Sequence, residues 1–137
     1  MTEKQLQYKI VSWFSHNYIK HRGLLFLVDN DTHNINHAQT KRALGMISGV
    51  SDLILINPFN GQINGIELKA PGSRHEVKKL ENQLSWGKQL IRMNCNYIMS
   101  SREDLIKQFI SEIMNTGTGF NCMPVLDESK KTYKFHK

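Results

Sequence analysis

The sequence predicts an α/β domain, a mixed β-sheet flanked by helices. Three observations support this. Apolar residues recur at helical spacing in three separated stretches, near residues 2–20, 73–93 and 101–113. Short apolar runs bounded by Gly, Pro and Asn lie between and beside them. The resulting order is helix, strand, strand, strand, helix, strand, helix, which suits a sheet covered by helices.

A chain of 137 residues is most simply one domain. Its 39% hydrophobic and 22% charged content fits a globular chain rather than a disordered one. No apolar run approaches the length of a bilayer span, so no membrane association is expected. The polar start MTEKQLQYK lacks the apolar core of a signal peptide, so a cytoplasmic location is expected. Cys95 and Cys122 do not suggest a disulfide framework or a zinc site. The net charge of +6 favours a polyanionic partner.

Residues from about Thr2 to about Lys20 read as the first helix. Thr2 is its candidate N-cap, Leu6, Ile10, Trp13, Phe14 and Tyr18 form its apolar stripe, and Gly23 is a plausible C-cap. Glu3 falls on the same face as Leu6 and Ile10. It either stays wet, favoured by the helix dipole, or points toward other functional groups. Leu24 to Val28 is apolar throughout and predicts a strand buried on both faces. Asp29 to Ala38 is polar and predicts a flexible or DNA-contacting loop. Its Asp29, Asp31, His33 and His37 match no EF-hand or zinc spacing. A short helix over Gln39 to Met46 carries Lys41 and Arg42.

The segment Gly49 to Lys69 then reads as a hairpin. Gly49 permits a sharp turn before Asp52, and Leu53 to Ile56 is the first arm. Asn57-Pro58-Phe59-Asn60-Gly61 is the turn, and the second arm ends in Glu67-Leu68-Lys69. Alternation puts Gly65, Glu67 and Lys69 on one face, and Ile66 and Leu68 on the other. Three registers fit the turn. Centring it between Phe59 and Asn60 sets Asp52 opposite Glu67, and centring it between Asn60 and Gly61 sets Asp52 opposite Lys69. A five-residue loop moves Asp52 to the other face. In all three the Cβ atoms stay within roughly 5–8 Å.

Ala70 to Ser73 breaks the second arm. Ser73 and Glu76 have capping-box spacing for a helix running to about Met93, with Val77, Leu80, Leu84, Gly87 and Ile91 on its inner stripe and Gln83 beside it. Cys95 to Met99 is a further strand. Ser101 and Asp104 have the same capping spacing before the last helix, which Asn115 to Gly119 closes. The tail beyond carries scattered apolar residues amid charge. It forms an edge hairpin, packs on a partner subunit or stays loose.

Two carboxylates at hairpin distance repel unless a cation sits between them. A hard ion such as Mg²⁺ or Mn²⁺ suits few carboxylates plus waters, and a nearby lysine suits water or phosphate. Asp52, Glu67 and Lys69 are therefore the candidate catalytic set for phosphodiester hydrolysis.

The pattern resembles the VRR-NUC (virus-type replication-repair nuclease) family of the PD-(D/E)xK superfamily. The matching residues are Gly49-Val50-Ser51-Asp52, Ile66-Glu67-Leu68-Lys69, Gln83 with Trp86, and Ser100-Ser101-Arg102-Glu103-Asp104. Ser51 stands where many members carry proline. The resemblance covers about Glu3 to about Ile113. It implies a restriction-endonuclease-like αβββαβ core, with a nuclease domain over 1–114 and an extension over 115–137. It implies Mg²⁺ or Mn²⁺ held by Asp52, Glu67 and the Leu68 carbonyl, with Glu3 as a further carboxylate. Lys69 and Gln83 complete the catalytic set near the ion and its water. It further implies a homodimer cutting branched or Holliday-junction-like DNA. Lys41, Arg42, Arg74, Lys78 and Lys79, which flank the site in sequence, are the candidate grip on the DNA backbone. The alternative is a nucleic-acid-binding module that keeps this fold without catalysis.

Overall fold

A computed structural model describes residues 1–29 and 35–137, without the side chains of Ile35 and Asn36. Asp31 and His33 of the polar loop lie outside the described residues.

The first helix, α1, spans Glu3–Asn17. Thr2 caps it with a capping box: its hydroxyl accepts from the Gln5 N–H, and the Gln5 side chain accepts from the Thr2 N–H. Leu6, Ile10 and Phe14 are its buried stripe. The helix stops short of Lys20 because Tyr18 leaves helical geometry and stacks on Phe14, with ring centroids 5.1 Å apart. Gly23 is therefore no C-cap but part of a 3₁₀ segment, Ile19–Leu24.

β1 (Leu25–Leu27) is shorter than the apolar run suggests, and it is an edge strand. Leu25 is buried, but Phe26 is 42% and Leu27 62% exposed, which corrects the expectation of burial on both faces. α2 (Ile35–Ala43) begins and ends earlier than expected. β2 (Leu53–Ile56) and β3 (Ile63–Leu68) form the expected hairpin. Its turn is built as the residues suggest. The Asn57 and Asn60 side chains accept from the N–H groups of Phe59 and Gln62, and Gly61 takes a φ of 75°.

β4 (Arg74–Glu76) occupies residues expected to open a helix. The helix, α3, spans Val77–Arg92 and has no side-chain cap; Ser73 Oγ donates to the Ala70 carbonyl instead. The displacement has a distant cause. Residues 74–76 pair with β7 (Thr132–Lys134), which also pairs with β6 (Leu126–Asp127). The tail is thus a hairpin in a second, three-stranded sheet of order β4-β7-β6.

β5 (Tyr97–Ser100) starts two residues later than expected and runs parallel to β3. The main sheet therefore has the order β1-β2-β3-β5, antiparallel except for its last pair. β3 is central, hydrogen-bonded on both sides. The last helix, α4 (Glu103–Thr116), ends at Gly117 in the left-handed region. Its expected cap is absent. Ser101 Oγ donates to the His136 carbonyl, and Asp104 pairs with Arg102.

Two apolar layers enclose the sheet. Leu6, Ile10 and Phe14 of α1 and Ile106, Phe109, Ile110 and Ile113 of α4 pack on Leu53, Leu55, Ile66, Leu68 and Ile98. On the other face Leu80, Leu84 and Leu90 of α3 pack with Tyr97, Met99 and Phe135. Among the described residues no helix is long and apolar enough to cross a membrane.

Candidate active site

The β2–β3 register pairs Leu53 with Ile66, so the next residue out, Asp52, faces Glu67. This is the register with the turn centred between Phe59 and Asn60. The Asp52 N–H donates to Glu67 Oε2 at 3.1 Å, and Asp52 Oδ2 accepts from the Leu68 N–H at 2.9 Å. Each carboxylate is thus held by the other strand's backbone.

Glycine makes this approach possible at two points. A Cβ on Gly65 would lie 2.5 Å from Ser51 Oγ and 2.8 Å from the Trp86 ring. The room left beside Glu67 is filled by these two side chains. Gly49, at φ +90°, lies so close to α3 that a Cβ there would sit 2.5 Å from the Asn82 backbone.

Glu67 is 2% and Lys69 4% exposed. Lys69 Nζ lies 3.4 Å from Glu67 Oε1 and donates to Gln83 Oε1 at 2.8 Å. Gln83 therefore meets the lysine directly. The Tyr97 hydroxyl donates to the Gln83 backbone carbonyl at 3.3 Å and steadies that turn of α3. Nothing in the sequence around Tyr97 signals this role.

Burial pushes the Glu67 carboxyl up to about 8, and the adjacent Asp52 charge adds to the rise; Lys69 only partly offsets it. Burial raises Asp52 as well, against its bond from Leu68 and the charge of Lys69. Without a cation the pair therefore retains a proton at neutral pH. Such a donor set, two hard oxygen ligands short of positive charge, fits a divalent ion of the Mg²⁺ or Mn²⁺ kind. Among the described residues no group of three or more His, Cys, Asp and Glu side chains converges as a metal cluster. Glu3 lines a neighbouring cavity that Asp52 also borders. Burial raises its carboxyl, while Lys69 lowers it and Asp52 raises it.

A cavity of about 210 Å³ opens above the pair, lined by Arg42, Met46, Ile47, Asp52, Glu67 and Gln83 among others. The remaining candidate basic residues diverge. Lys41 Nζ lies 2.9 Å from Asp29, and Arg74 donates to Thr132 on β7. Lys78 lines a separate depression with Lys130 and Lys131. Lys79 is exposed; burial lowers the pKa of half-buried His75, and the charges of Lys69 and Lys79 lower it further. His75 is a neighbour of the lysine that the sequence did not single out.

No family model and no curated protein matches the chain. It superposes on a solved structure, a VRR_NUC domain protein, with a TM-score of 0.60. The two are 17% identical over 88% of this chain and 93% of that one. What they share is a fold: a mixed α/β arrangement with helices on both sides of a mixed sheet.

Proposed function

We propose that this protein is a metal-dependent endonuclease that hydrolyses DNA phosphodiester bonds. One observation carries the reading: Asp52 and Glu67 meet across adjoining strands beside an ammonium group that Gln83 holds in place. The fold shared with a VRR_NUC domain protein supports it.

Asp52, Glu67 and the Leu68 carbonyl hold Mg²⁺ or Mn²⁺, with Glu3 at the edge of the site. A divalent ion there supplies charge neutralisation at the phosphate and makes a water more acidic. Lys69 has three N–H donors. Two face Glu67 Oε1 and Gln83 Oε1, and the third is proposed to meet the attacking water or a phosphate oxygen. Arg42, at the cavity rim, binds a flanking phosphate. Lys41, Arg74, Lys78 and Lys79 do not line this cavity, so any grip they add falls on DNA beyond it, and binding weakens with salt. No side chain in this set reads base edges. Selection therefore falls on DNA structure, branched or Holliday-junction-like, with two copies of the chain acting together.

The test is incubation with linear, flapped and four-way DNA in Mg²⁺, Mn²⁺ or EDTA, for the wild type and Lys69→Ala. The expected result is cleavage that needs a divalent ion and disappears in a folded Lys69→Ala. Binding without cleavage in every metal would instead establish a non-catalytic nucleic-acid-binding module.

A further inference from the structure

The loop between α2 and β2 places Met46 and Ile47 on the wall of the cavity that holds Asp52 and Glu67, with Leu44 three residues before Ile47 in the same loop. Leu44 is 83% and Ile47 60% exposed, a hydration cost that packing does not offset. Ile47 and Met46 line the same cavity as Asp52 and Glu67. Loose packing does not account for this exposure, because the loop is tied at both ends. The Met46 N–H donates to the Lys41 carbonyl at 2.9 Å at one end. At the other, Asn82 donates to Ser48 Oγ at 3.1 Å, and Gly49 lies against the Asn82 backbone.

Phosphate and sugar offer little to a leucine or an isoleucine. The apolar surface of DNA is the face of its bases, and it is accessible only where bases are unpaired or a step is unstacked. Arg42, on the same cavity wall, suits the phosphate beside such a base. We propose that Leu44 and Ile47 form a wedge that stacks against an unpaired or unstacked base, so that strand discontinuity delivers the adjoining phosphate to Asp52 and Glu67. This rests on the nuclease reading and adds the feature by which the site selects its DNA. Because the loop is held before DNA arrives, little ordering cost opposes the contact.

The experiment is equilibrium binding with Ca²⁺ in place of Mg²⁺, to plain duplex and to flapped duplex carrying 2-aminopurine at the branch. Wild type, Leu44→Ala/Ile47→Ala and the conservative Ile47→Leu are compared. Wild type and Ile47→Leu are expected to raise 2-aminopurine emission and to prefer the flap. The double variant loses that rise and about tenfold of the preference, with plain-duplex binding unchanged. If the double variant keeps both signals while the wild type still cuts DNA, the wedge is wrong and the nuclease reading stands. If the double variant instead splits a wild-type dimer in sedimentation, the loop is a contact between copies and the wedge is likewise wrong. If the wild type binds no DNA, both ideas fall.

Discussion

The Asp52 N–H donates to Glu67 Oε2 at 3.1 Å, while Asp52 Oδ2 accepts from the Leu68 N–H at 2.9 Å. Each strand of the hairpin therefore fixes the other's carboxylate. The two carboxyl groups are locked together by backbone groups that cannot swing away. The fold holds them at a distance that neither would keep in water, which is how a protein prepares a site for a cation.

The pH dependence of stability follows from this. The folded Glu67 pKa, about 8, lies above its ordinary 4.5. Between those values the folded state binds more protons than the unfolded one, so metal-free stability falls as pH rises. The contribution is fully present below about 4.5 and gone above about 8. Burial raises Asp52 too, which adds in the same direction. Urea melts in EDTA are expected to show this fall. Saturating Mg²⁺ restores stability at the alkaline end, and Glu67→Gln removes most of the slope. A metal-free stability that climbs from pH 5 to 8 contradicts the assignment.

Gln83 holds Lys69 without touching the carboxylate pair through any described hydrogen bond. Gln83→Leu is expected to lower kcat by about 10²-fold through misplacement of the ammonium. Divalent-ion affinity should stay near the wild-type value. Loss of ion binding in this variant would instead place Gln83 among the ligands.

Gly65→Ala drives a methyl group to 2.5 Å from Ser51 Oγ and 2.8 Å from Trp86. The expected cost is about 1–3 kcal/mol in chemical denaturation, together with weakened ion binding as Glu67 is displaced. A neutral Gly65→Ala would show that Ser51 and Trp86 move aside freely.

Phe135 is buried beside Tyr97 and Met99, and its N–H donates to the Ser73 carbonyl while its own carbonyl accepts from Gly72. The tail therefore braces the turn that follows Lys69. Phe135→Ala is expected to cost about 3–5 kcal/mol. Calorimetry showing no change in Tm would mean that the tail hairpin is not integral to the domain.

The hairpin was legible because its determinants are local. Turn residues, alternation and one glycine narrow the choice to three registers, and Leu53 against Ile66 is the one adopted. What was illegible depended on distant partners. Ser73 and Glu76 carry a helix-cap pattern, yet residues 74–76 become a strand because 132–134 arrive beside them. Ser101 looks like a cap but donates to His136, at the far end of the chain. The run Leu24 to Val28 is apolar enough for a central strand, but nothing pairs with its outer edge among the described residues. The site shows the same division. Asp52, Glu67 and Lys69 are visible as a motif, whereas Tyr97 behind Gln83 and His75 near Lys69 depend on tertiary packing.

The most direct measurement is Mn²⁺ binding to the purified protein, followed by titration calorimetry or by paramagnetic resonance. Wild type and Lys69→Ala are expected to bind a saturable ion. Asp52→Asn and Glu67→Gln should each weaken binding by about tenfold or more. Equal Mn²⁺ binding in both carboxylate variants, or no saturable binding in the wild type, would contradict the claim that these two side chains share a cation.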